Sequence, residues 1–412
     1  MVSKISTRKL ITVDKAKKIM INSINTKINV EFVSLIESED RILAENIHSK
    51  FNIPELDNAA VDGFAVNYIS IKKKIKKFKI IGISSPGQPF NGVTKIGEAI
   101  RIFTGAYLLN KNNVNTVIME EDCNFTRNYV ELIKFPESGS NIRKKAEDIK
   151  KKQLLFNKGR KIRTVDLAQL SSIGLKRIKV YKKLKVGIFS TGNELSNSDK
   201  KSKFAIYDAN KVTLMSMFKK IGCDSIDLGI IKDDLNQTKK LIFTNLNKCD
   251  LILTTGGVSS SQIDKISQIL REHGEIGFWR LAIKPGRPLA FGKFGNTPFI
   301  GLPGNPVASI VTFFMLVIDY VKKLSGNNNT EIIERLLPSC FEMKKKIGRK
   351  EWLRGKVKII NNKKYIEKFH TTGSGILSSI SKTDGIIEID ENKKDIKKGT
   401  ILKFYRYEDM LN

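Results

Sequence analysis

At 412 residues the chain is too long for one ordinary domain, and two to four domains are expected. With 41% hydrophobic and 28% charged residues it can bury real cores, which excludes a disordered chain. Lys and Arg outnumber Asp and Glu by 73 to 42, a formal net charge of +31. The lysines run along the whole sequence without aromatic interleaving or zinc-finger spacing, so the excess reads as a basic solvated surface and not as a specific nucleic-acid interface.

Four widely spaced cysteines, Cys123, Cys223, Cys249 and Cys340, make no C-x-x-C pair and argue against a disulfide framework. Three histidines, His48, His273 and His370, are too few to suggest a His-based metal site. The basic N-terminal stretch has no signal-peptide pattern, and the most apolar helical run, 307–317, is too short to span a bilayer. A soluble cytoplasmic protein with no membrane partner is the expectation.

Residues 13–24 carry a helix pattern with Met20, Ile21 and Ile24 on one face, followed by a strand-like run at 28–35. A polar loop from residue 51 ends in a strand near residue 66. Short β runs at 78–83, 99–103, 116–119 and 128–134 then alternate with turns, as in a compact β-rich module. The mixed-charge stretch 143–152 reads as a crossing back to the first module. Thr164 reads as the N-cap of a helix whose Leu167, Leu170 and Ile173 share a face and which Gly174 ends.

From residue 186 the rhythm changes. Strand 186–190, helix 211–221, strand 226–231, helix 235–246, strand 251–255 and helix 262–273 alternate, which predicts a mostly parallel sheet with helices on both faces. Strands 288–294 and 297–302 follow. The turn Pro303-Gly304-Asn305-Pro306 then leads into an apolar helix over 307–324. After a polar linker at 326–330, strands at 352–359, 365–369, 385–389 and 400–404 suggest a small C-terminal β domain. The expected division is 1–48 with 145–180, a helical and mixed N-terminal domain; 49–144, β-rich; 181–326, α/β; and 327–412, β.

In parallel α/β sheets ligands bind at the carboxyl ends of strands. Those ends carry Thr191 to Glu194, Asp233-Asp234 and Thr254 to Gly257. The loop Thr255-Gly256-Gly257-Val258-Ser259-Ser260-Ser261 lies between a strand and a helix. Paired glycines there let backbone amides approach a phosphate, and the serines add donors. The rigid turn at 303–306 offers free helix N-terminal amides, with Lys284 and Arg287 upstream, as a pocket for an anionic small molecule. Asp264, Asp233, Glu194 and Asp208 each read singly as capping or helix-stabilising residues. As a cluster beside a phosphate cradle they suit Mg²⁺. Asp62-Gly63 and Thr104-Gly105 read alone as turns.

Taken together, the segments 57–66, 101–106, 141–148, 189–195, 206–210, 229–234, 254–264, 278–288 and 301–306 resemble the molybdopterin molybdenumtransferase family, MoeA and the E domain of gephyrin. The resemblance covers nearly the whole chain. It implies an α/β multidomain protein in which a central parallel-sheet domain of molybdopterin-binding fold accompanies a β-rich second domain and a small C-terminal β-barrel-like domain. It further implies a homodimer whose active site lies between the sheet domain of one subunit and the second domain of its partner.

The implied activity is insertion of molybdate into adenylylated molybdopterin with release of AMP, dependent on Mg²⁺. The resemblance implies as catalytic residues Asp62, Thr104, Asp148, Glu194, Asp233 and Asp264, with Asp62, Glu194, Asp233 and Asp264 around the metal. Substrate would be bound by Thr255, Gly256, Gly257, Ser259, Arg280, Lys284, Pro303, Gly304, Pro306, Arg354 and Ser374. A molybdopterin adenylyltransferase is the implied protein partner. The chain departs from the family pattern at Ser261 and Gln262, where a glycine and an acidic residue are usual, and at Arg280, where lysine is common. Two rival readings are a molybdopterin adenylyltransferase and a non-catalytic scaffold. The first is opposed by the two extra β domains and the second by the intact carboxylate set.

Overall fold

A computed structural model of the chain describes residues 10–25, 28–196, 202–257, 263–328 and 332–411, without the side chains of residues 263 and 264. The chain packs into two compact units. One comprises Met1–Ala44, Gly159–Leu167 and Arg177–Asn412; the other comprises Glu45–Lys158 and Ala168–Lys176.

The first unit is built on a six-stranded sheet. Its strands run in the order Asp224–Ile231, Lys185–Thr191, Leu251–Thr255, Thr297–Leu302, Pro288–Phe294 and Glu275–Arg280. The first four are mutually parallel and the last two pair antiparallel, so the sheet is mixed at one edge. The parallel part arises because each strand is followed by a helix that must cross back over the sheet. Alternate residues face opposite ways. Val186, Ile188, Leu251, Leu253, Ile300 and Leu302 pack with the helices Ala209–Lys220 and Pro306–Thr312. Phe189, Ile252 and Phe299 pack with Leu235–Asn245 and Ile263–His273. The sheet is thus buried on both faces, which explains its near-continuous apolar strands.

The helix expected over 307–324 is apolar all round because it lies inside the core. It is not uniform: Pro306–Thr312 and Ile318–Leu324 are α-helical, and Phe313–Val317 between them is a π turn. Thr312 donates its hydroxyl to the carbonyls of Ala308 and Ser309 just before the widening (2.7 and 3.0 Å), loading acceptors the regular ladder uses.

The C-terminal strands belong to this same unit. Lys350–Ile360, Gly385–Ile389, Ile401–Arg406 and Arg335–Pro338 are neighbours in one sheet, with Lys363–Lys368 folded back on the first. Ile283–Lys284 adds in parallel to the start of Lys350–Ile360, joining the C-terminal strands to the segment that follows the central sheet's edge.

The second unit holds another six-stranded sheet, in the order Thr116–Met119, Gly63–Val66, Glu98–Ile102, Lys77–Ser84, Tyr129–Leu132 and Cys123–Phe125. Phe64, Val66, Phe78, Ile118 and Val130 fill one side of it. Residues 142–143 pair with Asn58–Ala59, so the stretch expected to cross between modules starts as part of this unit. Among the described residues no helix is long and apolar enough to cross a membrane.

Thr164 does not cap its helix. It starts the helix itself, and its hydroxyl bonds Glu39. The capping contact belongs to Asp166, which accepts from the Arg163 backbone N–H three residues earlier (3.1 Å) in the manner of a capping box. The Asp166 carboxylate is 5% exposed and also accepts from Arg160 and Arg163 side chains (2.9 and 2.8 Å). Burial alone would raise its pKa. The two guanidiniums and the backbone N–H outweigh that and hold it well below the usual carboxylate range. This depressed value makes the contribution present above the unfolded carboxylate's pKa and lost as pH falls toward the folded one. Asp166→Asn is expected to lower stability by roughly 1–3 kcal/mol at pH 7 in urea unfolding. The gap between parent and variant should narrow below about pH 4, where the unfolded-state carboxyl takes up its proton.

Candidate functional site

Candidate residues gather at two places, one in each unit. In the first unit the parallel strands end in register: Thr191 stands opposite Ile231, Ser190 opposite Thr255, and Thr255 opposite Leu302. Glu194, Asp233, Thr255, Gly256 and the 303–306 turn therefore leave the sheet from one edge.

Two close approaches fix this edge. Gly256 has φ +88°, and a Cβ there would meet the Thr191 carbonyl oxygen at 2.4 Å. Gly257 has φ +69°, and a Cβ there would meet the Thr191 hydroxyl at 2.6 Å. The paired glycines are needed for packing against the neighbouring strand end, whatever binds above them. The second fixture is Asn210, on the helix Ala209–Lys220 and 7% exposed. Its Nδ2 donates to the Thr255 hydroxyl (2.6 Å) and to the Gly304 carbonyl (2.7 Å), tying the helix to both loops.

Two expected anion donors are already engaged. The Gly256 N–H bonds the Leu302 carbonyl (3.1 Å), continuing the strand ladder by one residue. The Val307 N–H bonds the Ser374 carbonyl (3.2 Å), so this amide at the helix N-terminus is not free. Ser374 is nonetheless at the edge, since its hydroxyl accepts from Asn305 Nδ2 (3.1 Å). Arg354 is 1% exposed. It donates to Ser379 Oγ (2.9 Å) and the Gly373 carbonyl (3.0 Å), so its charge braces the loop that carries Ser374.

Asp233 is not the cap of the helix after it. Asp234 takes that role, accepting from the Gln237 N–H (2.6 Å). The Asp233 backbone is held by Asn193, which accepts its N–H (3.1 Å), and by Lys265, which donates to its carbonyl (2.5 Å). Glu194, next to Asn193, is exposed on the adjacent strand's end. Asp208 is an N-cap, its Oδ1 accepting from the N–H groups of Asn210 and Lys211 (both 3.1 Å). Lys284 pairs with Glu351 (3.4 Å), and Arg280 closes the antiparallel edge strand. Pro303 is buried and Pro306 opens its helix at the first turn. Ser259, Ser261 and Gln262 lie outside the described residues, as does the side chain of Asp264. The backbone of Asp264 is in the first turn of Ile263–His273.

In the second unit, two residues from separate turns meet. Asp62 Oδ1 accepts from both the N–H (2.7 Å) and the hydroxyl (2.6 Å) of Thr104. These bonds, the side-chain one foremost, lower the Asp62 pKa, with Arg101 adding to the effect. Asp62 is therefore a carboxylate at neutral pH, suited to accept a proton or ligate a cation and unsuited to donate a proton. Asp148 is exposed in the 143–149 loop, its N–H on the Ile53 carbonyl (3.0 Å).

Sequence reasoning missed Asn193, Asn210 and Asn305, amides that fix loops by bonds to residues 40, 45 and 69 positions away. Their only signal was position: each lies inside a segment already singled out, at 191–194, 206–210 and 303–306.

Three family models match the chain in order. The MoeA N-terminal region (domain I and II) matches residues 11–174, the "Probable molybdopterin binding domain" residues 187–323, and the MoeA C-terminal region (domain IV) residues 337–407. The chain is 32% identical over 407 residues to the molybdopterin molybdenumtransferase of Haemophilus influenzae, covering 98% of this chain and 100% of that one. The chain belongs to the MoeA family. It is 30% identical to gephyrin of Dictyostelium discoideum over 82% of its own length and 53% of that protein's. The crystal structure of the molybdopterin biosynthesis MoeA protein from Pyrococcus horikoshii OT3 superposes with a TM-score of 0.83 at 28% identity, over 97% of this chain and all of that one. The family's α/β multidomain architecture is the one expected from the sequence.

The close approach at Gly256 has a direct consequence. Gly256→Ala is expected to cost roughly 2 kcal/mol or more, because the methyl meets a backbone oxygen and φ is left-handed. Gly304→Ala puts its methyl 3.5 Å from the Gly256 Cα, an ordinary contact, and should change stability little. Thermal unfolding of both variants tests the contrast: similar losses would mean the loop accommodates a side chain at either glycine.

Proposed function

We propose that this MoeA-family chain is a cytoplasmic molybdopterin molybdenumtransferase, which inserts molybdate into the dithiolene of adenylylated molybdopterin with release of AMP. The carrying observation is the end-to-end match with the Haemophilus influenzae protein of that name. The strand-edge geometry is consistent with it, because the loops that would hold a pterin nucleotide leave the sheet together.

The residues proposed to act are those the family resemblance points to. Thr255, Gly257, Ser259, Arg280, Lys284, Pro303, Gly304, Pro306 and Ser374 bind substrate. Gly256 lets its loop approach Thr191, and Arg354 positions the loop of Ser374. Asp62, Thr104, Asp148, Glu194, Asp233 and Asp264 serve the chemistry, with Asp62 acting as a carboxylate oriented by Thr104.

The reading includes Mg²⁺. Among the described residues no group of three or more His, Cys, Asp or Glu could hold a metal. Mg²⁺ commonly uses one or two carboxylates plus substrate phosphates and needs no such group. Glu194 and Asp233, on the ends of adjacent paired strands, supply that donor set, with Asp62 and Asp264 as the further candidates. When bound, the ion would offset the charge of the pyrophosphate. The protein partner proposed is a molybdopterin adenylyltransferase, which would supply the adenylylated substrate.

Purified protein given molybdate, Mg²⁺ and adenylylated molybdopterin should release AMP, and chelation of the metal should stop it. Asp62→Asn and Asp233→Asn should each slow the reaction by ~100-fold while melting with the parent. Full AMP release by both variants would remove these residues from the chemistry. The working assembly is proposed to be a homodimer, so light scattering should give twice the 46.5 kDa chain mass. A mass of one chain at micromolar concentration would count against it.

A further inference from the structure

We propose that Asp208 and Asn210 form an acceptor pocket that takes a hydrogen-bond-donor edge of the substrate, and not its phosphates. The inference rests on the reading that this strand edge binds an adenylylated pterin. Neither residue belongs to the site set proposed above.

The observation is a mismatch of donors and acceptors. A cavity of about 60 Å³ opens between Asp208, Asn210, Thr255 and Gly304. Asn210 cannot turn its amide over. A flip would set Oδ1 against the Gly304 carbonyl, which can only accept, so Nδ2 must face Gly304 and Thr255. Oδ1 is then fixed on the other side, and it is buried with no hydrogen-bond partner among the described residues. Asp208 has spent Oδ1 on two helix amides, and its Oδ2 is likewise buried without a partner. Both residues line the same cavity. Buried acceptors are rarely left unpaired, so two in one pocket mark a place where donors arrive with a ligand.

Charge decides the class of group. A phosphate would bring oxygens against a carboxylate oxygen and an amide oxygen, which repels it. A group carrying two N–H or O–H donors satisfies both acceptors. Size decides how much of the ligand enters. A cavity of about 60 Å³ has room for a few waters, so a polar edge of the ligand can enter it. Two parts of an adenylylated pterin have such an edge: the vicinal hydroxyls of a ribose and the amino N–H edge of a heterocycle. Ser190 and Thr191 also line the cavity, and their buried hydroxyls have no partner among the described residues. Each can turn its proton either way, so they adapt to whichever donor binds.

Asp208→Asn separates the two roles of Asp208. The amide oxygen can still cap the helix, since Asn is as good an N-cap as Asp. The buried acceptor becomes an N–H donor. The parent and this variant would be titrated calorimetrically with two ligand pairs. One is AMP against 2′,3′-dideoxy-AMP; the other is pterin against lumazine, which lacks the amino group.

The parent should prefer the donor-bearing member of one pair by ~10-fold or more, the range of a hydrogen bond to a charged group. Which pair it is identifies ribose or heterocycle as the source. In Asp208→Asn that preference should fall to about twofold or less at an unchanged melting temperature. The idea is overturned if the parent prefers neither donor-bearing member, a result needing no variant. It is equally overturned if the preference survives in Asp208→Asn. Molybdate-dependent AMP release by a parent that shows no such preference removes the acceptor pocket alone. Absence of both AMP release and ligand binding removes the transferase reading with it.

Discussion

The organisation of this protein's candidate site depends on three strand-end loops being held against one another at one edge of a buried parallel sheet. The constraint is steric before it is chemical. Gly256 sits where a side chain would collide with the carbonyl of Thr191, so the loop after Leu251–Thr255 can lie flat on the end of the neighbouring strand. Asn210 then bonds that loop and the 303–306 turn at once, through one amide nitrogen. Each bond alone contributes about 1 kcal/mol. Their effect is geometric: they fix the spacing of two loops and set the direction in which the amide oxygen points.

The same economy recurs elsewhere. Arg354 is almost fully buried and spends its guanidinium on a hydroxyl and loop carbonyls, and the loop it braces presents Ser374 to Asn305 and Val307. Burial lowers the Arg354 pKa, and hydrogen bonds to Ser379 and the Gly373 carbonyl compensate the buried guanidinium. In the other unit, Thr104 gives Asp62 two hydrogen bonds from one residue, which orients the carboxylate without burying it. Residues proposed to act are therefore set by neighbours that are not themselves proposed to touch substrate.

Much of the scaffold was legible in the sequence, for a physical reason. Strands buried on both faces are continuous apolar runs bounded by Gly, Pro and polar turns, and those at 251–255, 288–294, 297–302 and 385–389 begin and end where the pattern says. The edge strand Glu275–Arg280 falls outside the expected strands, because Gly274 before it, Gly277 within it and the charges at its two ends blur its alternation. The π turn inside the long helix has no periodic signature, since every residue there is apolar whichever way the helix winds. Residue type alone points to Thr164 as the cap. The actual cap lies one residue earlier, because Asp166 can reach back to Arg163 while also meeting two guanidiniums. At the site, the Gly, Pro and charged residues of the motifs pointed to chemistry, whereas the amides among them, Asn193, Asn210 and Asn305, did not. An amide that bridges loops 40 or more residues apart leaves no local pattern.

The expectation that the Gly-Gly loop and the proline-rigid helix start supply free anion-binding amides also needs revision on physical grounds. The Gly256 amide continues the strand ladder, and the Val307 amide meets a carbonyl from the C-terminal region. Both are absent from the stock of free anion donors, however suggestive a Gly-Gly loop and a proline-rigid helix start appear in sequence. Acceptors, in contrast, are in surplus around Asp208 and Asn210. Within the proposed pocket the acceptors are concentrated on the side of the Ala209–Lys220 helix. A ligand with an anionic middle and a donor-rich end would bind it in one orientation, because reversing it would set phosphate against carboxylate. Orientation of that kind is what a transfer reaction requires of a long substrate, since only one of its atoms is to react.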